Sequence, residues 1–128
     1  MVIADTSAWI EFLRKPDSEA GKVVDSLLAS QQIAMVGTVL AEVLQGARTE
    51  FEFNELSDRL IELEFFDTDK QAWVNAALTA SRLRRQGFQV PLSDLVIAEV
   101  AKQRHLQLYA MDGHFQRIPG LELYSPSS

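Results

Sequence analysis

Asp5 closes a short apolar run, Val2-Ile3-Ala4, and Asp112 stands just past another, residues 106–110. In open α/β sheets, functional groups gather at the carboxyl ends of strands. Both positions also admit a plain structural reading. Asp5 ahead of Thr6-Ser7 makes a good helix N-cap, and Asp112-Gly113 is a common turn pair. Two further carboxylates stand inside helical patterns. Asp94 shares a helix face with Ile97, Ala98 and Ala101, so it points toward packed small residues. Its plain reading is a first-turn acid favoured by the helix dipole, with Ser93 as the cap. Glu42 lies at the edge of the apolar stripe Val39-Leu40-Ala41-Glu42-Val43-Leu44, where an ordinary boundary glutamate is also at home.

Brought together, these four carboxylates would repel one another. Such a cluster is stable only with protonation or a bound cation. Carboxylate oxygens are hard ligands that suit Mg²⁺ or Mn²⁺. A site of that kind activates water and stabilises the departing oxygen of a phosphodiester. Spacing alone does not bring the four into one place.

The elements that must position them alternate in type. Strands are expected at 2–4, 33–36 and 106–110, with a last short one at 121–124. Phe65-Phe66 is ambiguous and starts at most a short strand. Helices are expected at 6–14, 19–30, 37 to about 46, 51–63, 69–86 and about 94–105. Lys15-Pro16-Asp17 breaks the first helix, and Gly87 stops the long one. Alternating strands and helices favour a parallel sheet covered on both faces. The class is α/β, with more helix than strand.

The 128 residues fit one domain, read as 1–124 with a frayed Ser125-Pro126-Ser127-Ser128 tail. Apolar residues are 47% and charged residues 23%, which excludes disorder for the bulk of the chain. The absence of cysteine removes disulfides, thiolate zinc sites and cysteine nucleophiles, and fits a reducing cytoplasm. No apolar run approaches the roughly 18–20 residues that span a bilayer. Met-Val-Ile-Ala-Asp does not resemble a signal peptide, so a cytoplasmic protein is expected. None of the glycines forms a phosphate-binding loop, and no Gly-x-Ser-x-Gly elbow is present.

Four segments resemble the PIN-domain nucleases, in particular the VapC toxins of bacterial toxin–antitoxin pairs. They are Val2-Ile3-Ala4-Asp5-Thr6-Ser7, Val39-Leu40-Ala41-Glu42-Val43-Leu44-Gln45-Gly46, Pro91-Leu92-Ser93-Asp94-Leu95-Val96-Ile97-Ala98 and Leu108-Tyr109-Ala110-Met111-Asp112-Gly113-His114-Phe115. They run in the family's order across residues 2–115. The resemblance implies a PIN-like fold, with a short, mostly parallel sheet of about four to five strands between helices. It implies a Mg²⁺- or Mn²⁺-dependent endoribonuclease that hydrolyses RNA by water attack. Asp5, Glu42, Asp94 and Asp112 would form the acidic pocket. Asp5 and Asp94 would be direct metal ligands, with Asp112 close by, often through water. Glu42 would hold a metal-bound water or a second ion, and Thr6 or Ser7 would orient Asp5. A VapB-like antitoxin would inhibit by occupying the acidic groove, and a homodimer through helical faces is expected. Trp9, Ile10, Phe12, Leu13, Phe51 and Phe53 are candidates for such faces, with core packing as their default.

Two positions depart from the family pattern. Ala110 stands where a threonine or serine is usual, and His114 where an acid often precedes the final phenylalanine. His114 either contacts phosphate near the pocket or is an ordinary surface or packing histidine.

The chain carries 12 basic and 18 acidic residues, a net charge of −6. RNA binding must therefore rely on local cations, from among Arg14, Lys15, Arg48, Arg82, Arg84 and Arg85. Arg82 and Arg85, three apart, share a helix face and are the best pair for phosphate contact. Other α/β readings fit less well. A haloacid-dehalogenase-type phosphotransferase needs a second acid where Ser7 stands. A receiver domain wants paired acids by the first strand and a late lysine after a strand. A catalytically silent binding module with the same fold remains the alternative from another class. Metal-induced stabilisation separates it from an enzyme.

Overall fold

The computed structural model describes residues 1–126. Four strands, β1 Val2–Ala4, β2 Ile33–Val36, β3 Glu64–Phe66 and β4 Gln107–Tyr109, form one sheet in the order β3-β2-β1-β4. Every pairing is parallel. Six helices complete the chain: α1 Thr6–Arg14, α2 Glu19–Ala29, α3 Gly37–Gln45, α4 Glu50–Leu60, α5 Lys70–Arg85 and α6 Leu92–Gln103. A short 3-10 helix follows at Gly113–Arg117.

The strand order follows from where apolar runs are continuous. Every residue of β1 and β2 is buried. Successive side chains of a strand point to opposite faces, so both faces of the sheet are covered. The chain winds from β1 out to β2 and β3, then returns to place β4 on the far side of β1. With right-handed crossovers this puts α1–α4 on one face and α5–α6 on the other. Accordingly α1 packs on α2 and α3, and α5 packs on α6. The winding reverses between β1 and β4, and α3 also meets α6. Ligands of doubly wound sheets bind at the carboxyl end of such a switch point.

Several element ends differ from the sequence reading. The last expected strand, 121–124, is reduced to one bridge, Leu108 to Leu123. Ser93 does not cap α6. The helix begins at Leu92 after Pro91, with no side-chain cap, and Asp94 sits in its first turn. The helix expected at 51–63 starts at Glu50, because the Thr49 hydroxyl accepts from the Glu52 amide at 3.0 Å. Trp9 is 1% exposed and belongs to the core rather than to a surface for a partner. Leu13, Phe51 and Phe53 are exposed. One core runs from Val2 to Ile118, with Leu121, Leu123 and Tyr124 packed against it. Ser125 and Pro126 are exposed beyond it, and the rest of the expected tail, Ser127 and Ser128, lies outside the described residues.

Gly21 shows how tightly the first crossover is packed. Helix propensity alone favours alanine over glycine by ~1 kcal/mol. A β-carbon at Gly21 would lie 2.6 Å from the Pro16 carbonyl oxygen and 2.7 Å from that of Lys15, both main chain. Gly21→Ala is therefore expected to destabilise the fold by about 1–3 kcal/mol in urea unfolding. An unchanged or raised midpoint would contradict this packing.

Candidate active site at the sheet switch point

Asp5 follows β1 directly and is 4% exposed. Its amide donates to the Tyr109 carbonyl at the end of β4, 3.0 Å away. Its Oδ1 accepts from the Ala8 amide at 2.9 Å, so it caps α1. The Ser7 hydroxyl lies 3.0 Å from each carboxylate oxygen. The cap and the site position are thus the same contact set. Burial holds the Asp5 carboxyl above the usual carboxylate range, and the Asp94 charge pushes the same way. The Ala8 amide, Ser7 and His114 oppose that shift without cancelling it.

Thr6 does not orient Asp5. Its hydroxyl donates instead to Glu42 Oε1 at 2.7 Å, joining α1 to α3 across 36 positions of sequence. Ser7 alone fills the orienting role foreseen for either hydroxyl. Glu42 is half-buried.

Asp94 projects from the first turn of α6 and is also half-buried. Burial raises its pKa above the usual carboxylate range, and the Glu42 and Asp112 charges add to that. His114 lowers it, but less. The imidazole stands between two acids. Its Nε2 lies 2.6 Å from Asp94 Oδ2, and its Nδ1 lies 2.9 Å from Asp112 Oδ1. The Nε2 approach is close but not aligned as a hydrogen bond, and that nitrogen is buried without another partner. The ring also stacks on Phe115, 4.7 Å between centroids. His114 is therefore part of the pocket rather than a surface residue. Asp112, the more exposed acid, caps the 3-10 helix by accepting from the His114 amide at 3.0 Å.

The four acids thus occupy one neighbourhood, linked by charge and by His114. Among the described residues, no three His, Asp or Glu side chains are preassembled to hold a metal ion. An ion of the Mg²⁺ kind keeps several waters and takes only one or two protein carboxylates plus substrate phosphate. Two carboxylates whose ionised form is disfavoured, Asp5 and Asp94, are groups a cation would satisfy. The donor set fits such an ion.

Tyr109 was not picked out from the sequence. It ends β4, bonds Asp5 through its carbonyl and packs edge-on against Tyr124, 6.1 Å between centroids. Its phenol is raised, by burial first and then by the Glu19 and Asp5 charges. Its position at a strand's carboxyl end was the available signal. Of the expected RNA-contacting pair, Arg82 and Arg85 are exposed on the last turn of α5, where Arg85 donates to Ser81 at 3.1 Å.

The family model for the PIN domain matches residues 2–121. A VapC ribonuclease of Mycobacterium bovis is 30% identical over 122 residues, covering 92% of this chain and 91% of that protein. Among solved structures, VapBC2 from Rickettsia felis, bound to a promoter DNA fragment, superposes with a TM-score of 0.79. It is 24% identical and covers 97% of this chain and 98% of its counterpart. DNA-bound VapBC from Salmonella typhimurium superposes with a TM-score of 0.78 at 24% identity, over 96% of each chain. With the motif-bearing segments at the carboxyl end of the sheet and the match running almost end to end, this chain belongs to the PIN domain family, among the VapC ribonucleases.

Proposed function

We propose that the protein is a divalent-metal-dependent endoribonuclease, the toxin of a VapBC-like toxin–antitoxin pair. The observation that carries this is the gathering of Asp5, Glu42, Asp94 and Asp112 at the switch point, with two of them buried against their own charge. The similarity to a VapC ribonuclease supports the reaction class.

Asp5 and Asp94 would hold Mg²⁺ or Mn²⁺, with Asp112 nearby. When bound, the ion supplies Lewis-acid polarisation of a phosphoryl oxygen and lowers the pKa of a water. Each protein group then has a distinct task. Ser7 and the Ala8 amide fix the Asp5 carboxylate so that it presents to the pocket without rotating. Thr6 fixes Glu42 through Oε1 and leaves Oε2 to orient the attacking water and accept its proton. His114 stands between Asp94 and Asp112 and favours the ionised form of Asp94.

The VapBC complexes among the structural neighbours support an antitoxin partner. A groove between α1, α3 and α4, lined by Ile10, Leu13, Val43 and Leu56 with Arg14 and Arg48 beside them, offers an apolar seat for its chain. A basic side chain reaching on to the carboxylates would block them by electrostatics. The exposed Phe51 and Phe53 fit a homodimer contact. No helix among the described residues is long and apolar enough to cross a membrane, and a cytoplasmic enzyme is the reading that accords with its RNA substrate.

The direct test is cleavage of a pool of tRNA and ribosomal RNA by purified protein with Mg²⁺, Mn²⁺ or EDTA. Cuts that require the ion and vanish in Asp5→Asn and Asp94→Asn are expected. Glu42→Gln should lower kcat by about 10²–10⁴-fold. Cuts that survive both Asn substitutions would overturn the assignment.

A second expectation concerns stability without metal. Because both folded-state pKa values are raised, the ionised carboxylates oppose folding above their unfolded value of 3.8. Asp94→Asn should be at least as stable as the parent chain near neutral pH. That advantage should fade as pH falls through the raised folded-state pKa and be gone below 3.8, where the parent carboxyl is protonated in both states. Urea unfolding across pH checks it, and a variant clearly weaker at neutral pH would contradict it.

A further inference from the structure

Phe88 lies on the segment joining α5 to α6, and Arg117 ends the 3-10 helix. The Arg117 guanidinium sits over the Phe88 ring, 3.7 Å from its centroid. This is well inside the ~6 Å range of a cation–π contact. Phe88 also walls a cleft of about 320 Å³ with Ala80, Arg84, Val90 and Pro91. That volume reaches the lower end of small-ligand sites, roughly 300 Å³.

Both flanks of this cluster are close in sequence to residues of the acidic pocket. The Pro91 carbonyl accepts from the Asp94 amide at 3.0 Å. Arg117 lies one 3-10 turn beyond His114, whose ring touches Asp94 and Asp112. Among the described residues neither Arg84 nor Arg117 makes an ion pair. Phe88 is 36% exposed. In a chain of net charge −6, two arginines without ion-pair partners thus meet a partly exposed aromatic ring, one over a face of it and one lining the same cleft.

We propose that Phe88, Arg84 and Arg117 form a subsite for one unpaired nucleotide of the RNA substrate, adjoining the scissile phosphate. This rests on the ribonuclease reading above and names the form of RNA that the site accepts. The base stacks on the Phe88–Arg117 pair, and the arginines reach the flanking phosphates. Phenylalanine reads no base edge, so the subsite tolerates different bases. A duplex keeps its bases stacked inside and has none to offer, so single-stranded segments and loops are selected.

The test uses the full chain in EDTA, titrated with a labelled, mixed-sequence single-stranded RNA and with the same sequence as a duplex. The wild type should bind the single strand more tightly. Phe88→Leu keeps an apolar side chain and removes the ring. It should weaken single-strand binding by roughly 5- to 150-fold. Phe88→Trp should retain binding. Arg117→Gln, a surface change, should weaken binding and reduce the salt slope by about 0.7. With metal added, Phe88→Leu should raise KM more than it lowers kcat.

Equal binding of single strand and duplex by the wild type would overturn the subsite. So would wild-type affinity and KM in both folded variants, with melting temperatures confirming the fold. Should the wild type bind RNA as described yet never cleave it with metal, the ribonuclease reading fails while the binding site stands.

Discussion

The Asp5 carboxylate is buried at the carboxyl end of β1, and several parts of the fold are anchored on the same residue. Its side chain closes the first turn of α1 through the Ala8 amide. Its own amide reaches the Tyr109 carbonyl and so joins β1 to β4 just where the winding of the sheet reverses. Neither strand is longer than three residues, so these contacts set how the two ends sit. Burial, however, disfavours the charge that a cation-holding site would require. The chain supplies two hydrogen-bond donors to Asp5, but they do not bring its pKa back to the ordinary range.

Asp94 shows the same opposition one helix away. His114 stands between it and Asp112 and offsets part of the repulsion, yet the Asp94 pKa stays raised. The pocket is therefore a place where folding stability is given up for a local field. That pattern is expected of a site that binds a cation and a phosphate, because the missing positive charge arrives with the ligand. A purely structural cluster would be paired to completion by arginines or lysines, as Glu99 is by Lys102 at 3.0 Å.

Much of the scaffold was legible in the sequence because the decisive signals are local. Val2–Ala4 and Ile33–Val36 read as strands because unbroken apolar runs suit strands covered on both faces. Gly87 ended the long helix as expected, and its φ of +90° is the left-handed conformation that favours glycine. The start of α6 was misplaced because serine is the stronger cap signal, whereas Pro91 opens the helix without a side-chain cap. The acids were legible as types and positions, but their meeting was not. Thr6 and Glu42 are 36 residues apart, and nothing in local periodicity links them. For Asp5 and Asp112 the plain and functional readings do not exclude each other, since each caps a helix past the carboxyl end of a strand. His114 was undervalued because a lone histidine is usually unremarkable, and only the tertiary fold puts its ring between two acids. Helix spacing singled out Arg82 and Arg85, while the arginine lining the cleft is Arg84, set by the path of residues 88–91.

The most direct measurement is a calorimetric titration of the metal-free chain with Mn²⁺, beside Asp5→Asn and Asp94→Asn. The expected result is saturable binding by the wild type and its loss in both variants, with neither variant less stable than the wild type. An ion at a hundred times its Kd should then stabilise the wild type by ~2.7 kcal/mol. Binding that persists in both variants, or no binding by the wild type, would contradict a cation-holding site at the switch point.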